Sequence, residues 1–519
     1  MRTFPALVLT ILVCLAGIAR AEGPVSFKVS VDPKVRPAPA SGRLIVMLKR
    51  VDAKLPRRSE PIDGPFWDDP QPLFGTDVRD LPAGTVVVVD DAADAFPMKP
   101  SELEPGAYYA QARLDVSRRT SSWRTEEGNL YSEPVLFGIE KDKPAEVALT
   151  LTKAATPRRM GDHPRVEIVE VESKLLSEFY GVPTKIRAAV VKPVGMTEGA
   201  KYAAIYHVPG YGGSIEGAIA HARQGDNPVE GTATGILFRG CFHITLDPES
   251  PNGHTLFADS ANNGPRGEAL VKELIPAIEA RFPLVAKPEA RLLRGHSSGG
   301  WSTIWLAITY PEVFGAAWSS APDPVDFRKL QTINIYEDAN AYRGPGAEKD
   351  WCSYRKFGKE LMTVRQENGA EEVIGPDNTS AQQWDSWFAV FGPRGPKGRP
   401  AALFDPATGE IDRAVALAYR SHDIGELLRS NPDKYGPVFR RSIRLYVGDQ
   451  DNFYLNEAVK LLAEDLERVY PADKVPEQER FGCIRMVQGV DHASIYQSQE
   501  LRAIPQEMIE HLRRASLLK

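Results

Sequence analysis

Cysteine is scarce, at 4 in 519 residues, and Cys14 falls in a leading apolar run. The other three, Cys241, Cys352 and Cys483, are widely spaced and form no C-x-x-C pair, so the fold cannot depend on a disulfide framework. One bridge at most can form, and three unpaired thiols serve as well. Positive charge is not in excess either. The formal net charge is −6, which gives no electrostatic case for nucleic acid or an anionic membrane. Internal repeats and a G-x-x-x-x-G-K-[ST] phosphate loop are both missing.

Long hydrophobic runs are almost absent. Ala6–Ala19 is uncharged and apolar except for Thr10, but it is shorter than the roughly 20 residues that a spanning helix needs. Arg2 precedes it, and Ala19-Arg20-Ala21 follows with small residues where a signal peptidase reads. Cleavage before Glu22 is expected, with export to the periplasm or the medium. Cys14 follows Val13, where a lipoprotein site would want a small residue, so no lipid anchor is expected. Loss of Arg2 and Arg20 with residues 1–21 takes the charge from −6 to −8.

Hydrophobic residues make up 42%, enough for large cores, and the pattern changes once along the chain. Residues 22–153 carry short β-branched and aromatic segments: Val25–Val31, Arg43–Lys49, Thr85–Val89, Ala107–Leu114 and Ala145–Leu151. Turn residues separate them, which predicts an N-terminal β-sandwich. Ala154–Pro164, polar and basic with two prolines, reads as a linker.

From 165 to 519 strands alternate with helices, the mark of a mostly parallel sheet covered on both faces. Strands are expected at Val166–Val171, Ile186–Val191, Ala203–Val208, Phe242–Leu246, Ala290–Leu293, Phe314–Trp318, Arg444–Val447 and Ile484–Val487. Helices are expected at Gly267–Arg281, Ser302–Tyr310, Asn456–Glu467 and Leu501–Arg514. Arg328–Pro437 is too long for a crossover and reads as an insertion over the sheet's carboxyl edge.

Gly295-His296-Ser297-Ser298-Gly299 falls where a strand gives way to a helix, the context of a nucleophile elbow. The tight turn leaves no room for a Cβ two residues before or after the nucleophile, which selects Ser297 over Ser298. A serine nucleophile needs a base, an acid to orient it and donors for the oxyanion. Among the histidines after Ser297, His492 follows a short strand in Gly489-Val490-Asp491-His492-Ala493. His422 lies in the insertion and His511 in the last helix. The acid is sought in Gly448-Asp449-Gln450-Asp451-Asn452, where Asp451 is preferred and Asp449 suits a turn; Asp323 and Asp326 after the preceding strand also compete. The backbone N–H groups of Ser298 and of Tyr211, in Pro209-Gly210-Tyr211-Gly212-Gly213, are the candidate oxyanion donors.

His207–Gly213, Phe257–Phe282 with Gly264-Pro265-Arg266 and Glu273-Leu274-Ile275-Pro276, the elbow, and Gly489–His492 together resemble the esterase family of α/β hydrolases that includes esterase D, the enterochelin esterases and the feruloyl esterases. The likeness covers Val166–Leu518 apart from most of Arg328–Pro437. It implies an α/β-hydrolase fold and serine ester hydrolysis, with Ser297 as nucleophile, His492 as base and Asp451 as acid. No metal or organic cofactor is required. The expected substrate is a small-molecule or polysaccharide-linked ester.

A prolyl-oligopeptidase-type peptidase would need a propeller, and residues 22–153 are too short and unrepeated for one. A non-catalytic carbohydrate-binding protein is the other alternative. Trp384 and Trp387 in Gln383-Trp384-Asp385-Ser386-Trp387-Phe388 share one face of a helix and either line the substrate pocket or pack the insertion onto the core.

Overall fold

The structure is a computed structural model that describes residues 25–518 apart from 57, 121, 125, 158 and 159. The leader and its cleavage site lie outside the described residues. Nine strands form the N-terminal part: β1 (Val25–Val31), β2 (Ala40–Arg50), β3 (Leu73–Leu81), β4 (Val87–Val89), β5 (Asp94–Phe96), β6 (Gly106–Asp115), β7 (Leu130–Ser132), β8 (Val135–Ile139) and β9 (Ala145–Ala154).

The expected sandwich differs in one respect. All nine strands belong to one hydrogen-bonded sheet, order β4-β1-β9-β7-β6-β2-β3-β5 with β8 also on β6, instead of two separate sheets. Short β7 makes the link, pairing with both β6 and β9. The sheet's two halves share one core, in which Phe27 of β1 stacks on Phe74 of β3 at 5.7 Å.

The second sheet has eight strands: β10 (Val166–Ser173), β11 (Thr184–Val191), β12 (Ala203–Val208), β13 (Cys241–Leu246), β14 (Arg291–His296), β15 (Ala316–Ser320), β16 (Ile443–Gly448) and β17 (Cys483–Val487). Their order is β10-β11-β13-β12-β14-β15-β16-β17. β11 runs antiparallel to both its neighbours, and all the pairs from β13 onward are parallel. The interior strands are buried nearly throughout, as a sheet covered on both faces requires.

One face is covered by the last helix, Gln499–Arg514, through Leu501, Ile504, Met508, Ile509 and Leu512. Their near-3.6-residue spacing puts them on one stripe, and each such burial contributes about 1.5–3 kcal/mol. The other face takes the elbow helix Ser298–Thr309 and the segment 266–281. That segment is helical as expected, but Leu270–Leu274 widens into a π turn before Pro276, whose missing N–H a wider turn accommodates.

Between β15 and β16 the insertion adds a hairpin, Cys352–Lys356 with Lys359–Thr363, and helices including Val364–Ile374 and Gln383–Phe391. It ties the two sheets together. Ala370, Val373 and Ile374 pack on Ile45, Met47, Leu73 and Phe96 of the N-terminal sheet. Arg43 donates to the Val373 carbonyl at 3.0 Å, and Tyr354 donates to Asp68 at 2.7 Å. Among the described residues no helix is long and apolar enough to cross a membrane, and Cys241, Cys352 and Cys483 are all free thiols.

Candidate active site

Ser297 sits between the end of β14 and the helix Ser298–Thr309 with φ 57° and ψ −127°, a conformation that non-glycine residues rarely adopt. Such strain costs on the order of 1–3 kcal/mol and persists only where neighbours enforce it. Here the Ser297 N–H donates to Ser320 O at 3.0 Å, and its carbonyl accepts from Asp323 N at 3.2 Å. A Cβ on Gly295 would stand 2.1 Å from Gly299 O, and one on Gly299 would stand 2.0 Å from Val208 O. The glycines are therefore required by space on both sides of the serine.

The loop after β12 closes against this turn. A Cβ at Gly210 would lie 3.0 Å from His296 O and 3.4 Å from the Ser297 Cβ. The N–H groups of Tyr211 and Ser298 have no acceptor among the described residues. They are donors left open beside the serine.

His492 follows β17, and its Nδ1 lies 2.8 Å from Oδ2 of the fully buried Asp451. The other Asp451 oxygen accepts from the N–H groups of Phe453 at 2.9 Å and Leu455 at 3.3 Å. Asn452 fixes the loop from the same side by accepting from His492 N at 3.0 Å. Burial by itself would lower the His492 pKa. The Asp451 carboxylate, with a smaller contribution from Asp323, outweighs it and raises the pKa above the ordinary imidazole value.

Two of the competing acids lie elsewhere. Asp449 accepts from Gly489 N at 2.8 Å and ties two loops together. Asp326 is enclosed by Arg328 and Arg429. His422 and His511 bond to the carbonyls of Asp259 and Glu289.

Asp323 is beside the elbow. Its Oδ2 accepts from Ser298 Oγ at 2.7 Å and from Trp387 Nε1 at 2.8 Å, while Ser297 Oγ points to its Oδ1 at 3.5 Å. Burial raises its pKa against these hydrogen bonds.

Ser297 and His492 open onto one cavity of about 330 Å³, walled by Trp67, Tyr211, Trp387, Phe453 and Tyr496 among others. Trp387 is both pocket wall and packing residue. Trp384 is fully buried against Trp387, Phe388 and Phe404 and does not line the cavity.

Sequence reasoning missed Trp67. It comes from the N-terminal sheet's side and reaches the cavity by packing on Tyr354 and Phe453, with ring centres 6.1 and 6.0 Å away. Nothing local in Pro65-Phe66-Trp67 marks it.

The strand order, the antiparallel second strand, the strained serine turn after the fifth strand and the late histidine together define an α/β hydrolase. Residues 252–391, which contain the elbow, match the family described as "Putative esterase", so the resemblance carried by the motifs is borne out. The match supports a hydrolase of ester substrates.

No curated protein matches the chain. Among solved structures it is similar to a ferulic acid esterase, at 12% identity, covering 66% of this chain and 98% of that one, with a TM-score of 0.39. A fluorophosphonate-binding serine hydrolase of Staphylococcus aureus shows 13% identity over 66% and 97% of the two chains, with a TM-score of 0.37. An S-formylglutathione hydrolase from Agrobacterium tumefaciens shows 14% over 68% and 95%, also at 0.37. These overlaps are slight, and the fold assignment rests on strand order and local geometry.

Proposed function

We propose that the protein is an exported serine esterase that hydrolyses carboxylic esters through an acyl-enzyme. The observation that carries this reading is that His492, bonded from behind to buried Asp451, lines the same cavity as the strained Ser297. In the proposed reaction Ser297 Oγ swings from Asp323 towards His492, which takes its proton as Oγ attacks the ester carbonyl. Catalytic hydrogen bonds often form fully only with substrate bound. The oxyanion is held by the Tyr211 and Ser298 N–H groups. His492 then protonates the departing alcohol, and water repeats the attack on the acyl-enzyme with His492 as base. Asp451 keeps the imidazole in the required tautomer and stabilises its protonated form.

The aromatic walls, Trp67, Trp387, Phe453 and Tyr496, suit a flat aryl group or a sugar ring, so aryl and carbohydrate-linked esters are the proposed substrates. The leader supports export to the periplasm or the medium; a mature N-terminus at Glu22 in an exported fraction is the check. A panel of aryl, acetyl-sugar and simple alkyl esters, with dipeptide amides as the peptidase control and Ser297→Ala as the blank, tests the activity. Cleavage of amides in preference to every ester would overturn it.

A further inference from the structure

A second cavity, of about 620 Å³, lies beside the elbow and shares Gly210, His296 and Tyr496 with the first. Ser297 does not line it. Its wall holds Arg294, three residues before Ser297 on β14, whose guanidinium has no hydrogen-bond or ion-pair partner among the described residues. Two buried arginines elsewhere show the usual arrangement: Arg43 bonds two aspartates and a carbonyl, and Arg440 bonds Glu467 and two carbonyls. Arg294 is half-buried on the cavity wall, so an anion entering the cavity would meet a guanidinium that no protein carboxylate neutralises.

His207, His221 and His243 stand beside Arg294, with ligating nitrogens within 4.8 Å of one another and His207 Nε2 3.0 Å from His243 Nδ1. Burial lowers the pKa of all three below the ordinary imidazole value, helped by a neighbouring imidazole at His207 and His243 and by the charge of Arg294 at each, so the neutral form is favoured. Three neutral imidazoles could hold a transition metal, but a divalent ion would add its charge next to an unpaired guanidinium. Among the described residues none of the three imidazoles bonds a carboxylate of the kind that orients metal-bound histidines. Glu216, the one carboxylate on the cavity wall, faces Arg187. The balance of charge calls for an anion.

We propose that this cavity binds the carboxylate or phosphate group of a small molecule. Arg294 supplies the two-pronged donor. His207, His221 and the hydroxyls of Ser214 and Thr245 stand ready to complete the shell. The proposal does not depend on the esterase reading, because none of Ser297, Asp451 and His492 lines the cavity.

Isothermal titration of the full chain with inorganic phosphate and, separately, with succinate tests it and separates the two anion types. The expected result is one site in the wild type and in Ser297→Ala, weakened about tenfold to a hundredfold in Arg294→Gln, the scale of a lost charge-assisted bond. Arg294→Lys, which keeps the charge but not the fork, falls between. Should Arg294→Gln not fold, the lysine variant and the wild-type melting shift with each anion carry the test. Silence with both anions, or equal affinity in the arginine variants, overturns the proposal. So does saturable zinc binding that His221→Ala removes and Arg294→Lys retains.

Discussion

Trp387 Nε1 donates to Asp323 Oδ2 at 2.8 Å, so the insertion is pinned to the residue that also accepts from Ser298. A tryptophan expected either to pack or to line the pocket does both. Trp387→Phe keeps most of the ring volume and removes the donor. It should change KM or ester preference and destabilise by about 1–3 kcal/mol, since a buried carboxylate loses a partner. Trp384→Ala should instead lose about 3–5 kcal/mol with unchanged substrate preference, measured by denaturant melts beside the ester panel.

Ser298→Ala should keep much of its rate, because alanine retains the backbone N–H. It should still melt earlier, since its hydroxyl bond to Asp323 at 2.7 Å is lost. A dead Ser298→Ala with an active Ser297→Ala would place the nucleophile one residue later.

The acid limb of the rate profile reports His492. A base must be neutral, and Asp451 raises the His492 pKa, so kcat/KM should fall as pH drops through a midpoint above the usual histidine value of about 6.5. Asp451→Asn should lower kcat by ~10⁴-fold and move the midpoint down, since the raising charge is gone. Asp449→Asn should do far less. A larger loss in Asp323→Asn than in Asp451→Asn would shift the acid's role to Asp323.

Trp67→Ala tests whether the N-terminal sheet takes part in substrate selection. Its indole lines the cavity without contributing to either main core, so stability should change little while KM rises or aryl preference falls. Unaltered kinetics across the ester panel would make the contact incidental.

Much of the site could be read from the sequence because its chemistry is tied to local signals. The glycines around Ser297 and the strand ends before Asp451 and His492 are consequences of short-range geometry. Most strands of the eight-stranded sheet stood out as apolar runs. In the N-terminal sheet the strand Leu73–Leu81 did not, because Asp77, Arg79 and Asp80 interrupt its apolar pattern and only its first three residues are buried continuously. The sandwich expectation missed the link made by three-residue β7, too short to leave a pattern. Trp67 and Arg294 escaped for another reason. One gains its place through contacts some 290 and 390 residues away, and the other is distinguished by a partner it lacks.

The most direct test of Ser297 as the nucleophile is intact mass after treatment with a fluorophosphonate, which reacts with a serine activated by its base. One covalent adduct per wild-type chain is expected, mapped to the peptide containing Ser297 and absent from Ser297→Ala. An unlabelled wild type that is folded, or a Ser297→Ala variant labelled as fully as the wild type, would contradict it.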